Sequence, residues 1–136
     1  MKKLFKYLGY FLLTLLIGSS VILIAVAQKD IPREELKSKY AKNPSKFMPL
    51  MGMQVHYRDE GNKLDNEPLV LIHGTSSSLN TWDSLISYLP VNKRIIRLDM
   101  PAFGLTGPSP ENKYTYRFYS DFLNAFLNQY LFHQIL

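Results

Sequence analysis

The feature that most constrains the fold is an uncharged apolar run of 21 residues, 7–27, close to the N-terminus. A helix rises about 1.5 Å per residue, so this run spans roughly 30 Å, the hydrocarbon thickness of a bilayer. Lys2, Lys3 and Lys6 precede it, which predicts a cytoplasmic N-terminus with the following chain exported. A buried core helix is disfavoured, because a run without charge offers no polar face.

The same run also fits a secretory signal peptide, and both interpretations stay open. Ala25-Val26-Ala27 supplies a small-x-small cleavage site, and cleavage after Ala27 would release a secreted domain. A signal core is shorter, about 7–15 residues, whereas this run is long enough to stay in the membrane. We therefore favour an uncleaved signal anchor over residues 1–29, with the domain in the periplasm or at the cell exterior.

Composition excludes several classes of protein. A chain of 136 residues allows one modest domain. It contains no Cys, which excludes a disulfide framework, a thiolate metal site and a cysteine nucleophile. The acidic residues form no cluster with metal-ligand spacing, so we expect no metal and no cofactor. The net charge is +5, with three of these charges in the N-terminal segment, and no basic stretch interleaves with aromatic residues. We therefore expect no nucleic-acid partner.

Residues 30–46 predict a juxtamembrane helix and linker, and residues 47–136 predict part of an α/β domain. Asp30 is the expected N-cap of the helix, and Pro32 belongs to its first turn. The predicted elements of the domain are, in order, strands over 47–50 and 53–59 joined by a turn at Met51-Gly52, a strand over 68–72, a helix over 77–89, a strand over 94–98, a loop over 99–110 and a helix over 116–131. A hairpin followed by alternating strands and helices indicates an α/β fold with a mostly parallel sheet.

Two strands carry distinct burial patterns. Residues 53–59 alternate apolar and polar side chains, which predicts a half-buried strand with His56 either packed or facing solvent. Residues 68–72 are continuously apolar after Pro68, as in a strand covered on both faces.

Two strand-to-loop segments could support chemistry. The strand over 68–72 runs directly into His73-Gly74-Thr75, where Gly74 permits a tight turn and leaves main-chain N–H groups above the strand. Such preorganised donors suit a developing oxyanion. The next strand runs into residues 99–107, which read Asp-Met-Pro-Ala-Phe-Gly-Leu-Thr-Gly.

In this order and about 25 residues apart, the two segments resemble the α/β-hydrolase family, in particular a membrane-anchored bacterial type. The family's third strand ends in His-Gly, and its fourth ends in Asp-x-Pro-Gly-x-Gly-x-Ser. The resemblance implies that the Thr75 N–H is one oxyanion donor and that His73 and Gly74 form the active-site loop with it. It also implies a structural role for Asp99, Pro101 and Gly104 in the loop beside the site.

Two positions depart from the family pattern. Ala102 stands where Gly is usual, and Thr106 stands where Ser is usual. Thr106 keeps the hydroxyl group. Ala102 requires a backbone conformation that a residue with a Cβ can adopt.

The family also needs a nucleophile elbow, Gly-x-Ser-x-Gly, followed along the chain by an acid and a His. The glycines lie at 9, 18, 52, 61, 74, 104 and 107, and no pair flanks a Ser, Asp or Cys in that pattern. We therefore expect no catalytic residue in this chain and no hydrolysis by it alone. The resemblance implies that a completed enzyme acts on a small ester-like substrate. The rival interpretation is a non-catalytic, membrane-anchored remnant or interaction module.

Overall fold

The computed structural model describes residues 2–27 and 31–132 and separates into two compact units, Met1–Ile31 and Pro32–Leu136. Helix α1 (Lys2–Val26) belongs to the first unit, and none of its residues is buried. Its mean hydropathy reaches 2.3, and the hydroxyls of Thr14, Ser19 and Ser20 all donate to carbonyls of the preceding turn. Because these polar groups are satisfied within the helix, α1 suits hydrocarbon surroundings. It is long and apolar enough to be a membrane anchor or a signal sequence.

The second unit contains a four-stranded mixed sheet. Helix α2 (Arg33–Tyr40) leads into β1 (Lys46–Leu50) and β2 (Met53–Gly61), and β3 (Leu69–Ile72) and β4 (Arg94–Leu98) follow. The strand order is β1-β2-β4-β3, with β3 and β4 parallel and the other pairs antiparallel. The predicted hairpin is confirmed, and its turn at Met51 and Gly52 has positive φ at both residues, as a two-residue hairpin turn requires.

Helices cover both faces of β4, and all five of its residues are buried. Ile96 and Leu98 pack against α4 (Tyr116–Phe132), whose Phe122 and Phe126 are fully buried in the main core. On the other face, Arg97 reaches the carbonyl of Leu79 at 3.0 Å. The apolar stripe predicted for residues 116–131 is therefore the face that closes the core.

The helix predicted over 77–89 is wrong in its extent. The chain forms a 3-10 turn at Leu79–Trp82 and a short helix α3 (Asp83–Ile86), followed by turns that end at Pro90. Two side chains explain the shortening. Arg97 takes the carbonyl of Leu79, and Asp99 takes its N–H at 2.7 Å, so tertiary contacts fix this turn.

The helix predicted over 30–42 is also shorter in the structure, because Pro32 is the N-cap of α2 rather than part of its first turn. Asp30 lies outside the described residues. Strand β3 is not covered on both faces in the part of the chain that is described, since Ile72 is 42% exposed. His56 is packed rather than solvent-facing, at 1% exposure.

Candidate active site

The turn over residues 73–78 follows β3 and places main-chain N–H groups at the carboxyl edge of the sheet. Within the described residues, the N–H of Thr75 has no hydrogen-bond acceptor, and Thr75 is exposed. The left-handed conformation in this turn belongs to Ser76, at φ +57°, and not to Gly74, to which the tight turn was attributed. A Cβ on Gly74 would meet nothing within 4 Å, so Gly74 borders open space.

His73 holds the start of this turn against the loop after β4. Its Nε2 accepts the N–H of Met100 at 3.0 Å, so Nε2 carries the lone pair and Nδ1 carries the proton. Nδ1 donates to the carbonyl of Gly74 at 2.8 Å. The edge of Phe103 packs against the ring, with centroids 5.5 Å apart. Both ring nitrogens are engaged, so His73 orients the turn and has no nitrogen left to act as a base.

Asp99 holds the other end of the turn. Its Oδ1 accepts the N–H of Leu79 at 2.7 Å. Its Oδ2 accepts the N–H of Leu105 at 2.8 Å and faces His56 Nδ1 at 2.7 Å. One buried carboxylate therefore joins β2, the end of the turn over residues 73–78 and the loop after β4.

The environment keeps Asp99 ionised. Burial acts to raise the pKa of the Asp99 carboxyl, but hydrogen bonds from His56 and from the N–H groups of Leu79 and Leu105 outweigh it, and the pKa lies below its usual value. An ionised carboxylate accepts hydrogen bonds and donates none, which matches the three donors aimed at it.

The loop after β4 folds closely around this carboxylate. A Cβ on Gly104, at φ +51°, would overlap the Asp99 carboxylate, so no larger residue fits there. Thr106 Oγ1 donates to the Asp99 carbonyl at 2.7 Å and accepts the His56 N–H at 3.0 Å, so its hydroxyl joins β2 to the end of β4. Ala102 adopts φ +71°, a conformation that glycine takes without strain.

A pocket of about 260 Å³ opens beside the turn. Its residues are Ile72, His73, Gly74, Thr75, Met100, Phe103, Tyr116 and Tyr119. The side chains of Ile72, Met100 and Phe103 give it an apolar character. Burial raises the pKa of Tyr119, with the nearby Tyr114 adding to the shift, so its phenol stays protonated and can donate to the Pro101 carbonyl, 3.4 Å away.

The structure brings His73, Gly74 and Thr75 together at this pocket. Asp99 and Gly104 line a separate pocket of about 230 Å³, and the Pro101 carbonyl lies 3.4 Å from the Tyr119 hydroxyl. Sequence reasoning did not assign a site role to Phe103, Tyr119 or His56. The aromatic stripe of the last helix contained Tyr119, but periodicity does not distinguish a core position from a pocket wall. No group of three metal-ligating side chains occurs within residues 2–27 and 31–132.

Comparison with known proteins agrees with this geometry. The sequence profile described as "alpha/beta hydrolase fold" matches residues 67–136, just over half of the chain. This chain belongs to the α/β-hydrolase family.

Curated relatives match a small part of their own length. A pimeloyl-[acyl-carrier protein] methyl ester esterase of Legionella pneumophila (strain Lens) is 39% identical over 54 residues, covering 40% of this chain and 21% of that protein. A monoacylglycerol lipase, abhd6-B, of Xenopus laevis is 33% identical over 75 residues, covering 48% and 22%. The chain thus spans about a fifth of the length of these α/β hydrolases.

Among solved structures, the Cif epoxide hydrolase from Acinetobacter nosocomialis is similar with a TM-score of 0.57 and 26% identity, covering 76% of this chain and 36% of that one. The four-stranded mixed sheet is therefore part of an α/β-hydrolase fold.

Proposed function

We propose that this chain supplies the oxyanion turn and one pocket wall of a membrane-anchored hydrolase that cleaves small carboxylic esters. The observation that carries the proposal is the unpaired Thr75 N–H beside an apolar pocket, in a turn fixed at one end by His73 and at the other by Asp99. The nucleophile and its His and acid would come from residues beyond Leu136.

The chemistry follows from where negative charge develops. When a nucleophile attacks the ester carbonyl, the carbonyl electrons move to oxygen, and the tetrahedral intermediate carries a negative charge there. The Thr75 N–H would donate to that oxygen. The donor is already oriented before reaction, so no reorganisation is needed at the transition state.

Two observations support an ester with an apolar acyl group. The pocket walls are Ile72, Met100, Phe103 and two tyrosines, with no charged side chain among them. The names of two curated relatives describe an ester hydrolase and a monoacylglycerol lipase. A structurally similar protein is an epoxide hydrolase, so the assay compares an ester substrate with an epoxide.

The first experiment is to sequence the source DNA past the codon for Leu136 and express the complete reading frame. We expect a Gly-x-Ser-x-Gly elbow, then an acid and a His, and turnover of p-nitrophenyl butyrate in preference to an aryl epoxide. A stop codon directly after Leu136 would contradict the proposal and favour a non-catalytic, membrane-anchored module.

A matched pair of glycine variants then tests the turn. Gly74→Ala adds a methyl group in open space next to Thr75, and Gly18→Ala makes the same change in α1, where a Cβ also meets nothing within 4 Å. We expect Gly74→Ala to lower kcat/KM at least about tenfold, because the added methyl group would occupy space through which the substrate carbonyl approaches the Thr75 N–H, and Gly18→Ala to leave kcat/KM unchanged. Equal activity in both variants would exclude the turn from the site.

We further propose that α1 is an uncleaved anchor with the domain outside the cytoplasm, supported by the three lysines that precede the apolar run. A phosphatase fused to Leu136 should be active in an export reporter. The mature N-terminus should be Met1, whereas an N-terminus at Gln28 would show cleavage after Ala27.

A further inference from the structure

We propose that His56 is a positioning residue for the oxyanion turn and acts through Asp99. This inference rests on the proposed function, because the turn has no chemical role without it. His56 lies on β2 and does not line the pocket beside Thr75. Its effect on the reaction would therefore be indirect.

The turn is tied to β4 at two points. At its start, His73 Nε2 accepts the Met100 N–H, and at its end, the Leu79 N–H reaches Asp99 Oδ1. Thr75 lies between these two points and makes no hydrogen bond of its own through its N–H within the described residues. The place of the Thr75 N–H therefore depends on where Asp99 holds Leu79.

His56 fixes the orientation of the Asp99 carboxylate. The His56 Nδ1 to Asp99 Oδ2 distance is 2.7 Å, and both side chains are 2% exposed, so solvent weakens this hydrogen bond little. The Leu105 N–H uses the same oxygen and leaves Oδ1 for Leu79. Loss of the His56 donor would leave a buried charge undersatisfied and free the carboxylate to rotate.

The ring of His56 is held at both nitrogens. Because the ionised Asp99 carboxylate can only accept, Nδ1 carries the proton that Asp99 receives. Nε2 lies 2.8 Å from Ser45 Oγ, which also accepts the Arg58 Nε–H at 3.1 Å. Phe47 stacks on the ring with centroids 5.0 Å apart and an interplanar angle of 27°.

Ser45, His56 and Asp99 have the connectivity of a serine-hydrolase triad, but their surroundings indicate positioning rather than attack. The Ser45 oxygen already accepts a hydrogen bond from a guanidinium, and His56 and Asp99 are buried. A catalytic triad needs its nucleophile and base open to the substrate. This network instead transmits a fixed orientation from β2 to the turn.

Two amide substitutions distinguish the roles of the two ring nitrogens of His56. The side-chain amide of Asn reaches the place of Nδ1, and that of Gln reaches the place of Nε2. In the complete hydrolase, His56→Gln keeps a partner for Ser45 and loses the donor to Asp99, and we expect kcat to fall about 10- to 100-fold with KM unchanged. His56→Asn restores the donor and should retain most of the parent kcat.

A second measurement does not depend on activity. Amide exchange of Leu79 and Leu105, measured on the 136-residue chain in detergent micelles, should be faster in His56→Gln than in His56→Asn at equal thermal midpoints. If the complete parent protein has no esterase activity, the proposed function fails, and the exchange contrast still tests the positioning role. Equal exchange and equal kcat in the two variants would overturn it, as would covalent labelling of Ser45 by a fluorophosphonate.

Discussion

Strand β4 begins beside one buried carboxylate and ends at another, and the two have different partners. At the amino end, Asp59 receives two hydrogen bonds of 3.0 Å from the Arg94 guanidinium and contacts Lys63 Nζ at 2.6 Å. Arg94 also donates to the Tyr130 hydroxyl on α4 at 2.8 Å. At the carboxyl end, the partners of Asp99 are two main-chain N–H groups and the imidazole of His56.

The difference separates stability from geometry. An ion pair between side chains can be removed as a unit and replaced by apolar groups of similar volume, often at little cost. Main-chain donors cannot be removed by substitution, so the carboxylate that satisfies them is not replaceable. The amino end therefore joins α4 to the sheet, whereas the carboxyl end fixes the loops that form the pocket.

The largest expected effect is that of Asp99→Ala. It leaves the N–H groups of Leu79 and Leu105 buried without an acceptor, and we expect a loss of about 3–5 kcal/mol in the free energy of unfolding. Urea unfolding in detergent micelles, followed by the fluorescence of Trp82, the single tryptophan, measures this loss. Asp121→Ala on the exposed side of α4 is the control and should change stability by less than about 0.5 kcal/mol. Similar losses in the two variants would show that Asp99 contributes no more to stability than a surface carboxylate.

Asp59→Ala should lower the free energy of unfolding slightly less, by about 3 kcal/mol, because it removes the acceptor of two Arg94 hydrogen bonds while Lys63 turns to solvent. The sharper test is the triple variant Asp59→Leu, Arg94→Met, Tyr130→Phe. We expect it to lie within about 2 kcal/mol of the parent protein in the same urea assay. The corresponding apolar pair at the carboxyl end, Asp99→Leu with His56→Leu, should not restore the stability that Asp99→Ala loses. Recovery there would show that the two ends are equivalent.

Sequence patterns predicted the local structure better than they predicted these hydrogen-bond networks. The hairpin around Met51 and Gly52, strand β4 and helix α4 follow from period-two and helical patterns and from turn residues, which act over short distances. His56 and Asp99 are 43 residues apart, and no local pattern reports their contact. The alternation in β2 even placed His56 on the polar side of the strand, where it could have faced solvent.

Sequence patterns located the turn of the candidate site but not the contacts that hold it, and the roles of His73, Gly74 and Thr75 stay predictions. A strand running into His73-Gly74-Thr75 is a local signal, and resemblance to the family drew attention to the Thr75 N–H. The helix over 77–89 was overestimated, because Arg97 and Asp99 hold Leu79 from β4. Backbone conformation also escaped prediction, since the left-handed residue in the turn is Ser76, while Gly74 borders open space.

Acid should weaken both ends of β4. Burial raises the pKa of Asp59, but hydrogen bonds from Arg94 and Lys63 outweigh it, so its pKa, like that of Asp99, lies below the usual value. A carboxyl whose folded pKa is depressed contributes stability that is present above the unfolded pKa, about 4, and is lost as pH falls towards the folded pKa. The urea midpoint should therefore fall between pH 5 and pH 3.

The triple variant at the amino end sharpens this prediction. It lacks Asp59, so its urea midpoint should fall less steeply with acid than that of the parent protein. The slope that remains comes from Asp99 and from Asp65, whose pKa is lowered to about 2 by hydrogen bonds from the N–H groups of Arg94 and Glu67. If the slope were unchanged, Asp59 would not contribute to the acid dependence. If the slope vanished, Asp99 would not contribute to the acid dependence.

The smallest expected effect is a gain in stability from Ala102→Gly. Ala102 lies in the loop at the carboxyl end of β4 at φ +71°, and its N–H donates to the Gly107 carbonyl at 2.7 Å. A left-handed conformation costs a residue with a Cβ about 1–2 kcal/mol, and the greater backbone entropy that glycine loses on folding removes part of the gain. We expect a net gain of about 0.5 kcal/mol in the urea assay. Ala41→Gly, at φ −83°, is the matched control and should lose stability. A loss of similar size at both positions would mean that the loop beside the pocket holds no strain, and its shape would then follow from the Asp99 hydrogen bonds alone.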